Sequence, residues 1–150
     1  MRALIQRVSQ ASVVVEGNTI GSIGRGILIL LGITHTDTEK DIDFLVKKIT
    51  QLRIFTDEAG KMNLSVQEIK GELLIISQFT LYADYAKGNR PSYMRSAPPA
   101  VAIPLYEQAV AAFRAAFLGK VATGEFGADM KVSLLNDGPV TIMLDSENVK

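Results

Sequence analysis

The sequence has 150 residues, with 16 basic and 16 acidic side chains, a single His and no Cys. The length fits one domain, and the 47% of hydrophobic residues can form a sizeable core. The absence of Cys excludes disulfides, cysteine-rich zinc sites and thiol catalysis. The zero net charge argues against coating of long nucleic acids, so any such contact should be small and local.

Neither a signal peptide nor a membrane-spanning helix is predicted. Residues 1–7 contain too many polar side chains for the apolar part of a signal peptide. The longest apolar run, residues 27–33, is too short to cross a bilayer as a helix. We therefore expect a cytoplasmic protein that makes no contact with membranes.

Segments with β-type patterns dominate the first part of the chain: residues 4–8, 12–15 and 20–23. Gly17 and Asn18, between the second and third of these segments, indicate a hairpin turn. Gly24 and Gly26 indicate another turn before residues 27–33. This apolar run shows no alternation, which is typical of a strand that is buried on both faces.

Two helices are predicted. Thr38 followed by Asp41 is typical of a capping box at the start of the first helix. Its buried face repeats at helical spacing and consists of Ile42, Leu45, Val46, Ile49 and Leu52. The second helix is predicted at residues 104–118, because Pro104 suits a first turn and Gly119 suits a helix end. Its inner face would consist of Leu105, Ala109, Val110, Phe113 and Phe117.

Further strands are predicted at residues 53–55, 72–79, 131–135 and 140–144. No repeat, linker or low-complexity tract interrupts the chain. We therefore predict an α+β fold over residues 1–150, a single compact domain in which strands outnumber helices.

Most familiar catalytic machinery is absent from the sequence. A Ser-His-Asp triad would have to use His35, and the simpler interpretation of this His is a solvated loop residue before the first helix. A zinc hydrolase would need mostly carboxylate ligands, and no such cluster occurs at helical spacing. Gly21, Gly24 and Gly26 lack the spacing of a phosphate-binding loop. We therefore predict neither a metal nor a cofactor.

Polar side chains follow one apolar strand directly. Residues 73–76 are all apolar, and the next segment is Ser77-Gln78-Phe79-Thr80-Leu81. Polar groups at the end of a buried strand are held rigidly and can line a pocket. The alternative is that Ser77 and Thr80 only satisfy hydrogen bonds at the sheet margin, and the pattern alone favours this alternative.

A second unusual segment is Asn136-Asp137-Gly138-Pro139-Val140-Thr141. A Gly-Pro step between two predicted strands ordinarily indicates a turn. The functional alternative is that Gly138 lets the main chain approach a ligand closely while Pro139 holds a cis peptide bond. Neither unusual segment decides between its two interpretations by itself.

Together, Ser77-Gln78-Phe79-Thr80-Leu81 and Gly138-Pro139-Val140-Thr141 resemble the two signatures of the D-aminoacyl-tRNA deacylases, also called D-tyrosyl-tRNA deacylases. The resemblance extends over the whole chain. The other similar segments are Gln6-Arg7-Val8, Ala11-Ser12-Val13, Lys87-Gly88-Asn89-Arg90-Pro91-Ser92-Tyr93 and Leu105-Tyr106-Glu107. Each segment is short, but their order and spacing make the resemblance specific.

The resemblance implies a barrel-like sheet with two main helices and a homodimeric hydrolase. Its substrate would be the ester between a D-amino acid and the terminal adenosine of tRNA. The Gly138-Pro139 bond would be cis and would project into the active site of the other subunit, with Arg7 holding it by hydrogen bonds. The floor of the pocket would be formed by Ser77, Gln78, Phe79, Thr80 and Leu81.

The implied selectivity rests on exclusion. Main-chain groups at Gly138 and Pro139 would crowd the side on which an L side chain projects. We therefore expect hydrolysis of D-aminoacyl-tRNAs of varied size and of glycyl-tRNA, with L-aminoacyl-tRNA spared.

An aminoacyl ester is already activated, so orientation and an oxyanion site at backbone N–H groups near Phe79 and Thr80 would suffice for hydrolysis. In the resemblance, Thr80 lies closest to the scissile carbonyl, but no base lies near it in the sequence. We therefore expect Thr80 to position the substrate for attack by water or with assistance from the 2′-hydroxyl.

Three cations, Lys87, Arg90 and Arg95, form a local basic stretch close to aromatic residues. They are candidates for contacts with the acceptor end of tRNA, and the alternative is an ordinary solvated loop. Two other functions stay open at this point: a non-catalytic module that binds RNA ends, and a small esterase built on Ser77 and His35.

Overall fold

The computed structural model describes residues 1–149. Its strands are β1 (Arg2–Val15), β2 (Asn18–Ile23), β3 (Gly26–Gly32), β4 (Phe55–Thr56), β5 (Met62–Leu64), β6 (Glu72–Ser77), β7 (Val121–Thr123) and β8 (Lys131–Asp145). Its α-helices are α1 (Glu39–Gln51) and α2 (Pro99–Ala116), and 3-10 helices cover Phe79–Tyr82 and Ser146–Val149. No helix among residues 1–149 is long and apolar enough to cross a membrane.

β1 is the central strand of the main sheet, whose order is β2-β1-β3-β6-β7 with β8 also paired to β1. β2, β3 and β8 are antiparallel to β1, whereas β6 is parallel to β3 and β7 is parallel to β6. Residues 4–8 and 12–15, which the sequence predicts as separate strands, belong to this one strand of 14 residues. The polar, exposed Ser9 and Gln10 between them continue the strand because β8 still pairs there.

The sheet is barrel-like, and its two faces bury two separate apolar clusters. In β3, Ile27, Ile29 and Leu31 pack toward the two helices, whereas Leu28 belongs to the second cluster. The side chains of β6 alternate in the same way between the two clusters. The prediction of a strand buried on both faces is therefore confirmed, and so is the α+β, barrel-like fold with two main helices.

β8 is one continuous strand where the sequence predicts two strands, 131–135 and 140–144. Val8 pairs with Asn136 and Gln6 pairs with Thr141, so residues 137–140 all lie opposite Arg7. We call residues 137–140 the bulge. The prediction of two separate strands was wrong. A Gly-Pro step interrupts the hydrogen-bond ladder both where a chain turns back and where it bulges and continues in the same direction, so the step alone does not indicate a turn.

The first helix is confirmed and the second is longer at its start than predicted. The Asp41 carboxylate accepts the Thr38 N–H at 2.8 Å, which caps α1. α2 begins at Pro99 and not at Pro104, because Pro99 already takes the first-turn position. Pro104 lies inside the helix on an exposed face, and the helix ends at Ala116 before Leu118.

Several strand boundaries also differ from the prediction. The strand predicted at residues 53–55 is β4, which begins only at Phe55, and the strand predicted at 72–79 ends at Ser77. The sequence analysis missed β5 and β7, each of three residues. Segments this short carry too few residues for a periodicity.

Candidate active site

The segment of residues 77–82 leaves the sheet sharply at the end of β6. Ser77 is the last strand residue and pairs with Leu31 of β3. The Gln78 N–H then donates to the Leu31 carbonyl at 2.7 Å, and the chain enters the 3-10 helix Phe79–Tyr82. A Cβ on Gly32 would lie 3.0 Å from the Gln78 carbonyl oxygen and 3.1 Å from the Leu81 Cβ. Glycine at position 32 thus lets this segment pack closely on β3.

Contacts with Arg2 and Ser96 hold the 3-10 helix. Arg2 Nη1 donates to the Leu81 carbonyl at 2.9 Å, while Arg2 Nε donates to Asp145 Oδ2 at 2.9 Å. The Ser96 hydroxyl donates to the Phe79 carbonyl at 2.8 Å. The buried Tyr82 ring lies 4.5 Å from the Arg2 guanidinium carbon, and its burial raises the pKa of the phenol well above the usual range. The helix is therefore rigidly placed.

An open cleft of about 280 Å³ begins at this strand end. Ser77, Gln78 and Phe79 line one side of it. The opposite side is lined by Phe126, Ala128, Asp129 and Met130, which follow β7. The prediction that residues at the end of β6 line a pocket agrees with this geometry for Ser77, Gln78 and Phe79.

Phe79 stands at the edge of the cleft and is 55% exposed. The Tyr93 ring meets it edge to face, with centroids 5.0 Å apart and planes 75° apart. An exposed aromatic ring that is fixed by a second ring offers a stacking surface to a planar ligand.

Thr80 is half-buried and does not line the cleft of a single chain. Its hydroxyl oxygen accepts a hydrogen bond from Gln78 Nε2. With that lone pair occupied, the Thr80 hydroxyl can donate its own hydrogen to a ligand. The amides of Phe79 and Thr80 open the 3-10 helix, so neither has an acceptor within it.

The bulge is exposed, and the side chain opposite it is buried. Arg7 is 8% exposed and donates from Nε to the Asp137 carbonyl at 2.8 Å and from Nη1 to the Ile54 carbonyl at 2.7 Å. The Gly138-Pro139 peptide bond is cis. Gly138 has a φ of +144°, and a Cβ there would lie 3.2 Å from Arg7 Nη2.

Asn136 and Thr141 close the base of the bulge. The Asn136 side chain accepts the Val140 N–H at 2.9 Å and donates to the Thr141 hydroxyl at 2.9 Å. In a single chain neither Gly138 nor Pro139 lines the cleft. The structure thus brings Arg7 together with Gly138 and Pro139, and Ser77 together with Gln78 and Phe79, as two separate groups.

The predicted basic stretch lies on an exposed loop that follows the 3-10 helix. Asp84 and Ser92 close this loop with a pair of backbone hydrogen bonds of 2.8 Å each. Lys87 and Arg90 are exposed on it. Arg95 follows the loop and places its guanidinium carbon 5.8 Å from the Tyr82 ring centroid, next to the helix that carries Thr80.

The structure does not bring His35 and Ser77 together. His35 is exposed, and its Nε2 lies 2.9 Å from the Met94 carbonyl oxygen. Ser77 lines the cleft, whereas His35 does not. The esterase alternative, which needs an imidazole beside the Ser77 hydroxyl, is therefore not supported.

Sequence reasoning missed the second wall of the cleft, which includes Phe126, Asp129 and Met130. It also missed Arg2, which anchors the 3-10 helix. Phe126 lies more than forty positions beyond Ser77 and reaches it only because β7 pairs with β6. The only local signal was the turn-forming Gly124 and Gly127, which does not indicate what the turn faces.

Comparison with known proteins shows which family the chain resembles and agrees with this fold. A family model described as D-Tyr-tRNA(Tyr) deacylase matches residues 4–145. The D-aminoacyl-tRNA deacylase of Cytophaga hutchinsonii is 59% identical over 148 residues, which are 99% of each chain. The D-aminoacyl-tRNA deacylase of Thermosipho africanus is 60% identical over 149 residues, again 99% of each chain.

Two solved structures are similar to the whole chain. The c-Myc DNA Unwinding Element Binding Protein has a TM-score of 0.92 at 44% identity, and the match covers 97% of this chain and 99% of that one. A probable eukaryotic D-amino acid tRNA deacylase has a TM-score of 0.83 at 18% identity, with coverage of 95% and 97%, and shares the fold. The chain is thus a hydrolase of the aminoacyl-tRNA deacylase class. It belongs to the D-Tyr-tRNA(Tyr) deacylase family, which confirms the family inferred from its motifs.

Proposed function

We propose that this protein hydrolyses the ester bond of D-aminoacyl-tRNA in the cytoplasm and releases the free D-amino acid and tRNA. The observation that carries the proposal is the cleft at the end of β6, which is lined by residues of the family motif in a chain that matches the family over residues 4–145. A water oxygen bonds to the ester carbonyl carbon, the bond from that carbon to the ribose oxygen breaks, and the ribose oxygen takes a proton.

The cleft suits the terminal adenosine of tRNA. Its apolar side chains, Phe79, Phe126 and Met130, offer surfaces on which a flat purine ring can stack. Ser77, Gln78 and Asp129 supply polar groups at the same cleft for hydrogen bonds to the base or the ribose. This placement brings the ester toward the start of the 3-10 helix.

Chemical assistance comes mainly from main-chain groups. Among residues 1–149 no backbone acceptor outside the 3-10 helix pairs with the Phe79 or Thr80 amide, so both can donate to a carbonyl oxygen as it becomes negatively charged. The Thr80 hydroxyl, held by Gln78, donates a further hydrogen bond and positions the ester. No carboxylate, imidazole or amine among residues 1–149 hydrogen-bonds to the Thr80 hydroxyl, so water is the attacking group in this proposal, with the substrate's 2′-hydroxyl as a candidate assistant.

The complete site is a composite of two subunits in this proposal. The bulge carries Gly138 and Pro139 at the surface, although Arg7 and Asn136 hold its base rigidly. A rigid, exposed main-chain segment that contacts nothing in its own cleft is suited to enter the cleft of a partner. A homodimer supplies that cleft by symmetry.

Selection for D substrates follows from exclusion. The Gly138 and Pro139 main chain faces the α-carbon of the bound ester and occupies the space that an L side chain needs. A D side chain points away from it, and glycine has none. We therefore expect D-aminoacyl-tRNAs of different sizes and glycyl-tRNA to be hydrolysed, while L-aminoacyl-tRNA is spared as chiral proofreading requires.

Contacts with the tRNA beyond its terminal adenosine are assigned to the loop after the 3-10 helix. Lys87, Arg90 and Arg95 are exposed, and the Arg95 guanidinium carbon lies 5.8 Å from the ring centroid of Tyr82 in the 3-10 helix. Because each phosphate contact releases counterions, replacing all three cations should weaken tRNA binding and flatten its salt dependence. Unchanged binding at low salt would contradict this role.

One assay tests the activity. Purified protein is incubated with D-tyrosyl-, L-tyrosyl-, glycyl- and L-alanyl-tRNA, and loss of the ester is followed. Loss of the D-tyrosyl and glycyl esters is expected. Binding without loss of any ester would instead support the RNA-end-binding module, and a glycyl ester as stable as the L-alanyl ester would contradict steric exclusion.

A mixing experiment tests the composite site. A double variant that carries both Thr80→Val and Gln78→Ala has a defective cleft. The variant Pro139→Ala has a defective bulge. Subunit exchange between these two impaired proteins should restore part of the activity, since one of the two sites in a mixed dimer has both intact parts. The matched control mixes a chain that carries only Thr80→Val with a chain that carries only Gln78→Ala, so that every site stays defective. No recovery despite demonstrated exchange would contradict the composite site.

A further inference from the structure

A second groove lies away from the cleft, between the C-terminal half of α1, the following chain and β8. It has a volume of about 660 Å³. Its lining includes Lys47, Lys48 and Arg53, the apolar residues Phe44, Leu52, Ile54 and Ile142, and no carboxylate. In a chain with zero net charge, three cations around one groove without an acid make a distinct positive surface. We call it the basic groove.

The cations of the basic groove are available to a ligand. Lys47 and Lys48 are exposed, and neither makes an ion pair among residues 1–149. Arg53 is also exposed and donates Nε to the Asn63 carbonyl at 3.0 Å, which leaves its terminal nitrogens open. Glu68 interacts electrostatically with Arg53. Hydrogen bonds from Ser65 and, to a smaller extent, the charge of Arg53 lower the pKa of Glu68. The charge of Arg53 is thus partly compensated, whereas neither lysine makes an ion pair within 4 Å among residues 1–149.

The basic groove is rigidly connected to the bulge. Ile54 lines the groove, and its carbonyl accepts Arg7 Nη1 at 2.7 Å. The same guanidinium donates Nε to the Asp137 carbonyl of the bulge at 2.8 Å. Ile142, which also lines the groove, follows the bulge on β8. The positions of the groove and the bulge are therefore fixed relative to each other.

We propose that the basic groove binds the phosphate backbone of the tRNA whose aminoacyl end lies in the partner subunit's cleft. This inference rests on the proposed function. If the bulge of one subunit enters the partner's cleft, the groove at the base of that bulge lies beside the partner's substrate. Each tRNA would then contact the loop after the 3-10 helix, with Lys87 and Arg90, in one subunit and the basic groove in the other subunit.

Among the three cations, Lys48 should contribute least. It belongs to the last turn of α1, where a cation already offsets the partial negative charge of the helix end. Its Nζ also lies 6.0 Å from the Phe44 ring centroid. Lys47 carries neither of these roles, so Lys47→Gln should weaken tRNA binding more than Lys48→Gln.

The test compares a whole substrate with a minimal one. The variant Lys47→Gln with Lys48→Gln is assayed on D-tyrosyl-tRNA and on D-tyrosyl-adenosine, an ester that reaches only the cleft. We expect KM for the tRNA ester to rise about tenfold or more, and the slope of log affinity against log salt to fall by about two. Hydrolysis of the adenosine ester should stay unchanged. Adding Arg53→Gln should enlarge the tRNA effects, and the double variant alone carries the test if the triple variant does not fold.

A matched control removes the same charge elsewhere. Lys40 and Lys70 are exposed and lie outside the basic groove, so Lys40→Gln with Lys70→Gln should behave as the unmodified protein. Equal tRNA effects in both double variants would overturn the proposal. A groove variant that dissociates in analytical ultracentrifugation and loses activity on both esters would also overturn it, because the groove would then be a subunit contact. Failure of the unmodified protein to hydrolyse D-tyrosyl-tRNA would instead contradict the proposed function.

Discussion

The 3-10 helix and the bulge differ in how they are held. The helix Phe79–Tyr82 is anchored by Gln78 on β3, by Arg2 and by Ser96, through contacts that come from separate parts of the chain. The bulge depends on Arg7, which alone lies opposite residues 137–140, and on hydrogen bonds within its own base.

This difference has a consequence for function. A segment with several independent anchors keeps its geometry when one of them is removed, whereas a segment with one main anchor does not. If both segments belong to the same site, single substitutions at the anchors should have unequal effects on activity. The largest effect is expected at Arg7.

Arg7→Ala should lower kcat/KM for D-tyrosyl-tRNA by about a hundredfold or more, because it leaves two carbonyls unpaired at about 1–3 kcal/mol each and frees the bulge. The dissociation constant for tRNA should change much less. Steady-state kinetics and a binding titration measure the two quantities. Arg7→Lys keeps the charge with fewer donors and should be intermediate. Activity within threefold of the unmodified protein would show that the bulge is not part of the site.

Thr80 distinguishes a positioning role from a nucleophilic one within the more strongly held segment. Thr80→Val removes one hydrogen-bond donor and should lower kcat by about tenfold to a hundredfold, while Thr80→Ser stays close to the unmodified protein. A nucleophile would lose far more in the valine variant. An acyl group trapped on Thr80 and detected by mass spectrometry would refute the positioning role.

Ser96→Ala tests whether the other anchors suffice. The substitution removes the hydrogen bond to the Phe79 carbonyl, but Arg2 and the Gln78 backbone contact remain. The carbonyl is exposed to water, so its loss of a partner should cost little. We expect kcat/KM to fall by less than about threefold. A loss as large as that of Arg7→Ala would remove the distinction between the two regions.

Features that a local sequence pattern encodes were the ones that the sequence predicted. α1 was predictable because Thr38 and Asp41 are a local cap and its apolar residues have helical spacing. The polar segment after an apolar strand made Ser77, Gln78 and Phe79 candidates for a pocket, and it was the family resemblance that favoured the pocket over hydrogen bonding at the sheet margin.

Features that depend on distant pairing were not predictable. The bulge is visible only once Val8 and Asn136 are known to be partners, since Gly138 and Pro139 by themselves indicate a turn equally well. Phe126 reaches the cleft through the parallel pairing of β6 and β7, which no local pattern encodes. The local sequence therefore did not determine which distant strands pair and in which register.

The smallest expected effect concerns stability at low pH, through the anchor that Arg2 and Asp145 form below the 3-10 helix. Burial by itself raises the pKa of Asp145, but hydrogen bonds from Arg2 and from the Glu147 N–H, with the charge of Arg2, hold this pKa below its ordinary value. A lowered folded-state pKa gives stability that is present above the unfolded-state value and is lost as the pH falls through the folded-state value. Asp145→Asn should therefore lower the thermal midpoint at neutral pH, and the gap to the unmodified protein should narrow below about pH 4. A gap that stays constant down to about pH 2 would mean that the carboxylate charge at Asp145 does not stabilise the anchor.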